Sequence, residues 1–291
     1  MDLKKALKEL AQQNLMDYFA IAPVERMENA PAGSRPNDIM PTARSIISMG
    51  IKIRSGVRLA NKRAYDGVKM AIAVYMHFGH QFLNDKLDHA SYLVYRKLVD
   101  EGYLSMPMPA AHPYPYITEV IFDGKGANLF SNRHAAVAAG IGEFGWNSLL
   151  ITPDAGPRVR FVTVLTEAEI EPDEMYSGKP ICERDKCPEP LLCAKVCPLQ
   201  AIPLKEGVSL GINGKSFSYG KVDKTKCIWG ILGLRKATLG KFDCSMPEKR
   251  DINALYKALS EEDPMERQER FGNGHMCGKC IIHCPIGKSN S

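Results

Sequence analysis

Residues 182–198 read CERDKCPEPLLCAKVCP, and residues 277–285 read CGKCIIHCP. The first stretch follows the pattern C-x4-C-x5-C-x3-C-P, and the second follows C-x2-C-x3-C-P. Seven of the nine cysteines in this 291-residue chain lie in these two stretches, and Cys227 and Cys244 lie between them. Short spacings of this kind let one loop supply several thiolates to a single inorganic core. The two stretches therefore predict metal–thiolate chemistry in the second half of the chain.

The two Cys-Pro endings predict two [4Fe–4S] clusters that exchange ligands. In two-cluster ferredoxins the last cysteine of such a run reaches across to the other cluster. One cluster is then expected to take Cys182, Cys187, Cys193 and Cys284. The other is expected to take Cys197, Cys277, Cys280 and one of the two intermediate cysteines.

Disulfides and structural zinc fit this sequence less well. Disulfides belong to oxidising compartments, but the N-terminus MDLKKALKEL has neither an apolar signal core nor a twin-arginine pair. Zinc is the serious rival because C-x2-C is also a zinc-binding element. The doubled x3-C-P ending favours clusters, as do the apolar residues inside the loops (Leu191, Leu192, Val196, Ile281 and Ile282). We expect a cytoplasmic iron–sulfur protein with no membrane segment.

The cysteine-free part of the chain mixes helix and strand signals, which predicts an α+β fold. Helices are expected at the N-terminus (Leu3, Leu7, Leu10), over 87–101 before Gly102, and over 134–139 before Gly140. Apolar runs predict buried strands over 45–51, 68–75 and 159–165. The Pro- and Gly-containing segment 171–180 predicts a boundary between a domain over 1–175 and a cysteine-rich module over 176–291.

Bulk composition is that of an ordinary globular protein, with 45% hydrophobic and 24% charged residues. The net charge of +5 is mild, but residues 215–250 contain nine Lys or Arg against three acidic residues. Such a stretch would suit an acidic electron-donor protein or a phosphate-bearing substrate. A solvated face that balances acidic stretches elsewhere explains it equally well.

Three stretches resemble a known family. AAVAAGIGEFGWNSLLITPDAGPRVRFVTVLTEAEI (135–170) resembles the segment before the clusters in epoxyqueuosine reductases and corrinoid reductive dehalogenases. Members typically show AGLG, then G-x-N-x-LLI, then a glycine-containing loop and a strand ending in Thr. RPNDIMPTARSIISMGI (35–51) is similar to an early strand of the family, and KVDKTKCIWGI (221–231) to a segment with a lone cluster ligand.

The resemblance implies a nitroreductase-like, corrinoid-binding domain followed by a ferredoxin-like module with two [4Fe–4S] clusters. In that family electrons pass through the clusters to cobalt, which serves a two-electron reduction. The resemblance also implies that Cys227 is the intermediate ligand, which leaves Cys244 without a ligand role. A low-potential ferredoxin or flavodoxin is the expected electron donor, and a tRNA or a small molecule the expected substrate.

A corrinoid (cobalamin) needs close backbone approach and polar partners for its amides and phosphate. Gly140, Gly142 and Gly145 are candidates for the approach, although a helix cap and tight turns explain these glycines as well. The candidates for polar contacts are Arg133, Asn147, Asp154 and Arg158.

The proton donor is harder to place. The position that carries an acidic residue in epoxyqueuosine reductases corresponds to Gly126 in this chain, and the nearest acid is Asp123. The candidate donors are Asp123, His134 and Tyr116, and Arg133 beside His134 would lower the pKa of that imidazole. Three functions follow as hypotheses: a corrinoid-dependent reductase, an electron-transfer or cobalamin-handling protein without its own substrate, and a tRNA epoxyqueuosine reductase.

Overall fold

A computed structural model describes residues 2–68, 70–111, 130–184, 187, 191–239, 243–260 and 277–287. Its strands are β1 (Tyr18–Pro23), β2 (Ser45–Lys52), β3 (Ser105–Met108), β4 (Glu143–Phe144), β5 (Leu150–Ile151), β6 (Val159–Thr166), β7 (Gly207–Ile212) and β8 (Lys215–Gly220). Four of them form one antiparallel sheet in the order β1-β2-β6-β3. The pairs β4-β5 and β7-β8 form two hairpins.

The helices are α1 (Leu3–Gln13), α2 (Pro36–Ile39), α3 (Ser55–Tyr65), α4 (Met70–Met76), α5 (Phe82–Asp100), α6 (Asn132–Ala138), α7 (Leu192–Lys195), α8 (Lys224–Ile231), α9 (Ile252–Ser260) and α10 (Lys279–His283). A π-helical turn, His77–Gln81, joins α4 directly to α5. Within the ranges that the structure describes, no helix is both long enough and apolar enough for a bilayer crossing.

The central strands are buried on both faces, which explains why their sequences are continuous apolar runs rather than alternating ones. On one face, α1 and α5 pack through Leu7, Leu87 and Val94 against Ile47 and Val162. On the other face, α6 lies against the sheet within a cluster that also contains Phe144 and Ile212. Ile212 belongs to the β7-β8 hairpin, so residues from both sides of the expected boundary near 176 share this core.

Most of the expected elements are confirmed. Helices α1, α5 and α6 and strands β2 and β6 occupy the predicted ranges. Gly102 and Gly140 follow their helices with φ of +91° and +86°, the left-handed conformation that makes glycine a helix stop. The mixed α and β composition of the fold is likewise as expected.

The predicted strand over 68–75 is wrong, because this region is helix α4. Its Ala and Met residues are good helix formers. The run is also only half buried: Met70 and Val74 are 78% and 41% exposed, whereas Tyr75 is 4% exposed. An apolar run of this length does not by itself distinguish a buried strand from a helix.

Candidate metal centre

Two short helices carry the cysteine loops. Helix α7 contains Cys193, and helix α10 contains Cys280. The residue before α10 is Gly278, whose φ of +124° suits glycine, and a Cβ there would collide with the hydroxyl of Tyr75. Because α7 and α10 pack against each other, the two Cys-x3-Cys-Pro endings lie side by side.

The first set of thiols lines one cavity. Cys182, Cys187, Cys193 and Cys284 surround a space of about 160 Å³, together with Trp146, Asn147 and Pro285. Burial, and after it the Cys182 and Cys284 thiols, raise the pKa of Cys193 to about 12. Burial also raises the pKa of Cys182, and Cys187 adds to that rise. Three of these sulfurs lie within residues 182–193, and the fourth, Cys284, comes from the second cysteine stretch and interacts with them.

The second set is Cys197, Cys227, Cys277 and Cys280. Burial raises the pKa of Cys227 to about 12, with further rises from Cys277 and Cys197, while Arg133 lowers it. Burial raises the pKa of Cys280 well above its ordinary value, and all three other members of the set contribute. Cys193 of the first set also raises the pKa of Cys280, so the two sets are neighbours.

The chemistry of these donors fits a positively charged inorganic core. A buried thiol that faces other thiols resists ionisation, and a bound metal removes that resistance because its charge stabilises the thiolate. Within the described residues, no group of three or more His, Cys, Asp or Glu side chains is spaced to hold a metal ion. The assignment of each thiol as a ligand stays a prediction.

Cys244 packs beside Trp229 and Leu255, in the apolar cluster that α8 forms with α9. Its Sγ lies 3.9 Å from the carbonyl oxygen of Ala258. Of the two intermediate cysteines that the sequence leaves open, the structure brings Cys227 to the second set.

Arg158 lies against the second cysteine loop. Its side chain is fully buried, and its guanidinium donates to the carbonyl oxygens of Ile281 (3.2 Å), Cys284 (3.0 Å) and Ile286. The turn before it approaches the same loop closely, since a Cβ on Gly156 would collide with the carbonyl oxygen of Ile286. All three of these bonds hold the cysteine loop, and the expected contact of Arg158 with a corrinoid stays a prediction.

The glycines proposed for close corrinoid approach pack against their own chain. A Cβ on Gly140 would strike the carbonyl oxygen of Glu174, and one on Gly142 would strike that of Ile151. A Cβ on Gly145 would strike the side chain of Ile151. The space left by these glycines is thus already filled, as expected for a helix cap and tight turns.

The other polar candidates have local partners. Asn147 accepts a hydrogen bond from the Leu149 N–H at 3.3 Å and lines the cavity of the first set. Asp154 pairs with Lys52 at 2.6 Å and accepts from the Tyr18 hydroxyl at 2.5 Å. Burial raises the pKa of Asp154, but the bonds from Lys52 and Tyr18 outweigh it and bring the pKa to about 2.

Arg133 and His134 lie on the side of α6 that faces the second set. Arg133 donates to the carbonyl oxygen of Ser148 at 2.7 Å. His134 Nδ1 lies 2.7 Å from the Ser131 hydroxyl. Burial, then Arg133 and Lys224, lower the pKa of His134 to about 4. The imidazole is therefore neutral at pH 7, and its role as a proton donor stays a prediction. Asp123, Tyr116 and Gly126 lie outside the described residues.

The residues that hold the Cys277 turn are not among those predicted from the sequence. Asn61 on α3 donates to the carbonyl oxygen of Cys277 at 3.2 Å. The buried hydroxyl of Tyr65 faces the Cys277 thiol and has no other hydrogen-bond partner in the described part of the chain. The ammonium of Lys279 lies 4.3 Å from the centre of the Tyr65 ring. These contacts join residues more than 200 positions apart, and no local motif marks them.

This geometry defines a class of protein: a mixed α and β fold in which two neighbouring sets of cysteines lie close together. Comparison with known proteins identifies the particular relatives. No protein-family model matches the chain. Epoxyqueuosine reductase of Bacillus cereus is 27% identical over 293 residues, covering 99% of this chain and 58% of that protein. Tetrachloroethene reductive dehalogenase of Desulfitobacterium hafniense is 45% identical over 69 residues, covering 23% of this chain and 12% of that protein.

Solved structures agree at the level of the fold. A catabolic reductive dehalogenase in complex with 3-bromo-4-hydroxybenzoic acid matches with a TM-score of 0.52 and 16% identity, covering 96% of this chain and 37% of that one. An epoxyqueuosine reductase with an epoxyqueuosine-modified tRNA-Tyr stem loop matches with a TM-score of 0.50 and 17% identity, covering 96% and 79%. The resemblance to the epoxyqueuosine reductase and reductive dehalogenase superfamily is confirmed, and the chain spans well under two thirds of both curated relatives.

Proposed function

We propose that this chain is an oxidoreductase that passes electrons through two [4Fe–4S] clusters to a bound corrinoid, which reduces a substrate. The observation that carries the proposal is the pairing of the two thiol sets. Four sulfurs line one cavity, four more gather beside it, and Cys193 and Cys280 link the sets. Adjacent clusters are what a relay of single electrons requires. Similarity to two kinds of reductase supports the redox assignment.

The chain's own residues would orient and shield the clusters. Arg158 fixes the loop of Cys284, while Asn61 and Tyr65 fix the turn of Cys277. Trp146 closes the cavity of the first set and donates its indole N–H to the Pro203 carbonyl oxygen at 2.6 Å. Such contacts would exclude water and hold the thiolates in place. Solvent exposure and the surroundings of the sulfurs are among the factors that set the reduction potential of a cluster.

The corrinoid part of the proposal rests on the family resemblance. When bound, a corrinoid would supply a strongly reducing cobalt centre. Arg133, at the N-terminal end of α6, is kept as the polar candidate for it.

A tRNA epoxyqueuosine reductase is the second candidate. It is favoured by similarity over nearly the whole chain to an epoxyqueuosine reductase and by the shared fold with one that holds a tRNA stem loop. An electron-transfer or cobalamin-handling protein without its own substrate is the remaining alternative.

Anaerobic reconstitution separates these functions. The loaded protein should contain about eight iron atoms per chain; zinc in place of iron would refute the proposal. Cobalamin is then added, and visible and EPR spectra are recorded during titration with a reductant. Binding and reduction of the cobalamin support the reductase, and absence of binding contradicts it. Turnover of epoxyqueuosine-containing tRNA would favour the second candidate, whereas binding without turnover of any substrate would favour the third.

A further inference from the structure

An apolar stripe lies on the surface of the helix that runs from α4 through the π turn into α5. It consists of Met70, Val74, Phe78 and Phe82, which are 78%, 41%, 47% and 38% exposed. They recur every four residues, so they project from one side of the helix. The rings of Phe78 and Phe82 are 5.8 Å apart, and His77 packs against Phe78 at 4.6 Å. A contiguous exposed patch of this kind marks an interaction surface in a water-soluble fold.

Positive charge flanks the stripe. Residues 54–86 contain six Lys or Arg and two acidic residues, Asp66 and Asp85. Arg54 pairs with Asp17 and Arg63 pairs with Asp66, so the cations that the docking argument uses are Lys62 and Lys86. Lys86 lies 5.5 Å above the Phe82 ring, and Lys62 on the neighbouring helix α3 is exposed. An apolar centre with a cationic rim is complementary to an acidic protein that has an apolar patch of its own.

The same helix touches the second thiol set with its buried face. Tyr75 follows Val74 directly, and its hydroxyl lies against Gly278 in the Cys277 turn. Burial raises the pKa of Tyr75, and the Cys277 and Cys280 thiols add to the rise, which places both near its ring. The stripe is thus separated from the second set by about the width of one helix, roughly 10–12 Å.

The basic stretch over 215–250 is the weaker docking surface. Four of its nine cations form ion pairs: Lys221 with Glu206, Arg235 with Asp243, Lys249 with Asp251, and Arg250 with Asp223. A fifth, Lys215, donates to the Tyr176 carbonyl oxygen. Much of the charge that makes this stretch conspicuous in the sequence is therefore already balanced in the fold.

We propose that the stripe and its cationic flank are the docking surface for an acidic, low-potential electron-transfer protein that reduces the cluster of Cys277. This inference rests on the proposed function. In each productive encounter the partner loses one electron and the cluster gains it, so no further reactant is needed. Docking is expected to depend on the stripe for affinity and on the cations for the rate of encounter.

The test is stopped-flow reduction of the reconstituted protein by an acidic flavodoxin in its hydroquinone form, followed by cluster bleaching. Phe78→Ser should lower the second-order rate constant about tenfold. Lys62→Glu combined with Lys86→Glu should lower it further at low salt and flatten its dependence on ionic strength. The matched control is Leu104→Ser, since Leu104 is 58% exposed at the opposite end of α5, roughly 28 Å away.

Two further measurements distinguish a failure of the docking inference from a failure of the proposed function. Dithionite should reduce the clusters of every variant equally. If the wild-type protein has no cluster that dithionite reduces, the proposed function fails, and the docking inference fails with it. If dithionite works but Phe78→Ser reacts with flavodoxin within twofold of wild type, only the docking inference is overturned. Sedimentation velocity tests whether a second copy of the chain covers the stripe instead. If the wild-type protein is a dimer and Phe78→Ser is a monomer, the stripe is a dimer interface and the inference is overturned.

Discussion

The guanidinium of Arg158 donates to the carbonyl oxygen of Cys284 at 3.0 Å, and this bond joins the residue just before the central strand β6 to the last cysteine of the chain. Because Cys284 lines the cavity of the first set, the bond from Arg158 holds one candidate cluster ligand next to the start of β6. Arg158 is fully buried, and two further carbonyl oxygens of the same loop accept from it.

Replacing Arg158 by Met should therefore destabilise the cysteine loop. The variant leaves three carbonyl oxygens without their charged donor, at a cost of about 3 kcal/mol. We expect a melting temperature lower by several degrees and faster loss of iron to a chelator. Arg44→Met is the control, because the Arg44–Glu169 pair is exposed and contributes little. Equal chelation rates for the two variants would contradict the assigned role of Arg158.

The sequence predicts the secondary structure around the site better than the contacts within it. Strands β2 and β6 and helix α6 are evident from apolar runs and glycine stops, because those signals are local. Arg158 is predicted from the sequence only as a polar contact for a corrinoid, whereas its hydrogen-bond partners in the fold lie more than 120 residues away. The sequence predicts no role for Tyr65 or Tyr75, and it wrongly predicts a strand over the segment that contains Tyr75. Only the folded chain shows that both face the Cys277 turn.

Tyr65→Phe should lower the midpoint potential of one cluster. Its buried hydroxyl faces the Cys277 thiol, and a donor beside a cluster sulfur stabilises the reduced, more negative state. Removal of the hydroxyl should lower the potential by on the order of tens of millivolts. The measurement is an EPR-monitored redox titration. Tyr92→Phe is the control because Tyr92 is 50% exposed on α5. Two unchanged potentials in Tyr65→Phe would show that the hydroxyl does not act on the cluster.

Gly278→Ala should impair the same cluster by a steric route. The backbone at Gly278 has a φ of +124°, and an added Cβ would collide with the hydroxyl of Tyr75. We expect reduced iron content and a lower melting temperature. Adding Tyr75→Phe should recover part of the loss by removing the colliding oxygen, although the backbone strain remains. Gly211→Ala is the control, since a Cβ there meets open space. If the double variant is no better than Gly278→Ala, the collision is not the cause.

His134 should make stability depend on pH. Burial, then Arg133 and Lys224, lower the pKa of His134 to about 4, and Tyr219 on β8 is the other titratable group against its ring. The unfolded imidazole has a pKa of about 6.5. The unfolded state therefore binds a proton between these two values while the folded state does not, so stability falls as pH drops below about 6.5. From pH 7.5 to 5.5 this contributes a loss of about 1 kcal/mol. His134→Gln should remove that part of the pH dependence in urea unfolding, and an unchanged dependence would contradict the shifted pKa.

Cys227→Ser and Cys244→Ser test the ligand assignment directly, because the sequence pattern leaves the two residues equivalent and the structure does not. Cys227 lies with Cys197, Cys277 and Cys280, whereas Cys244 packs in the apolar cluster of α8 and α9. Loss of one thiolate should abolish one cluster, so Cys227→Ser should fall from about eight iron atoms per chain to about four. Cys244→Ser should keep about eight and serves as the matched control. The reverse result would exchange the roles of the two cysteines, and equal losses in both variants would mean that the iron content reports folding rather than ligation.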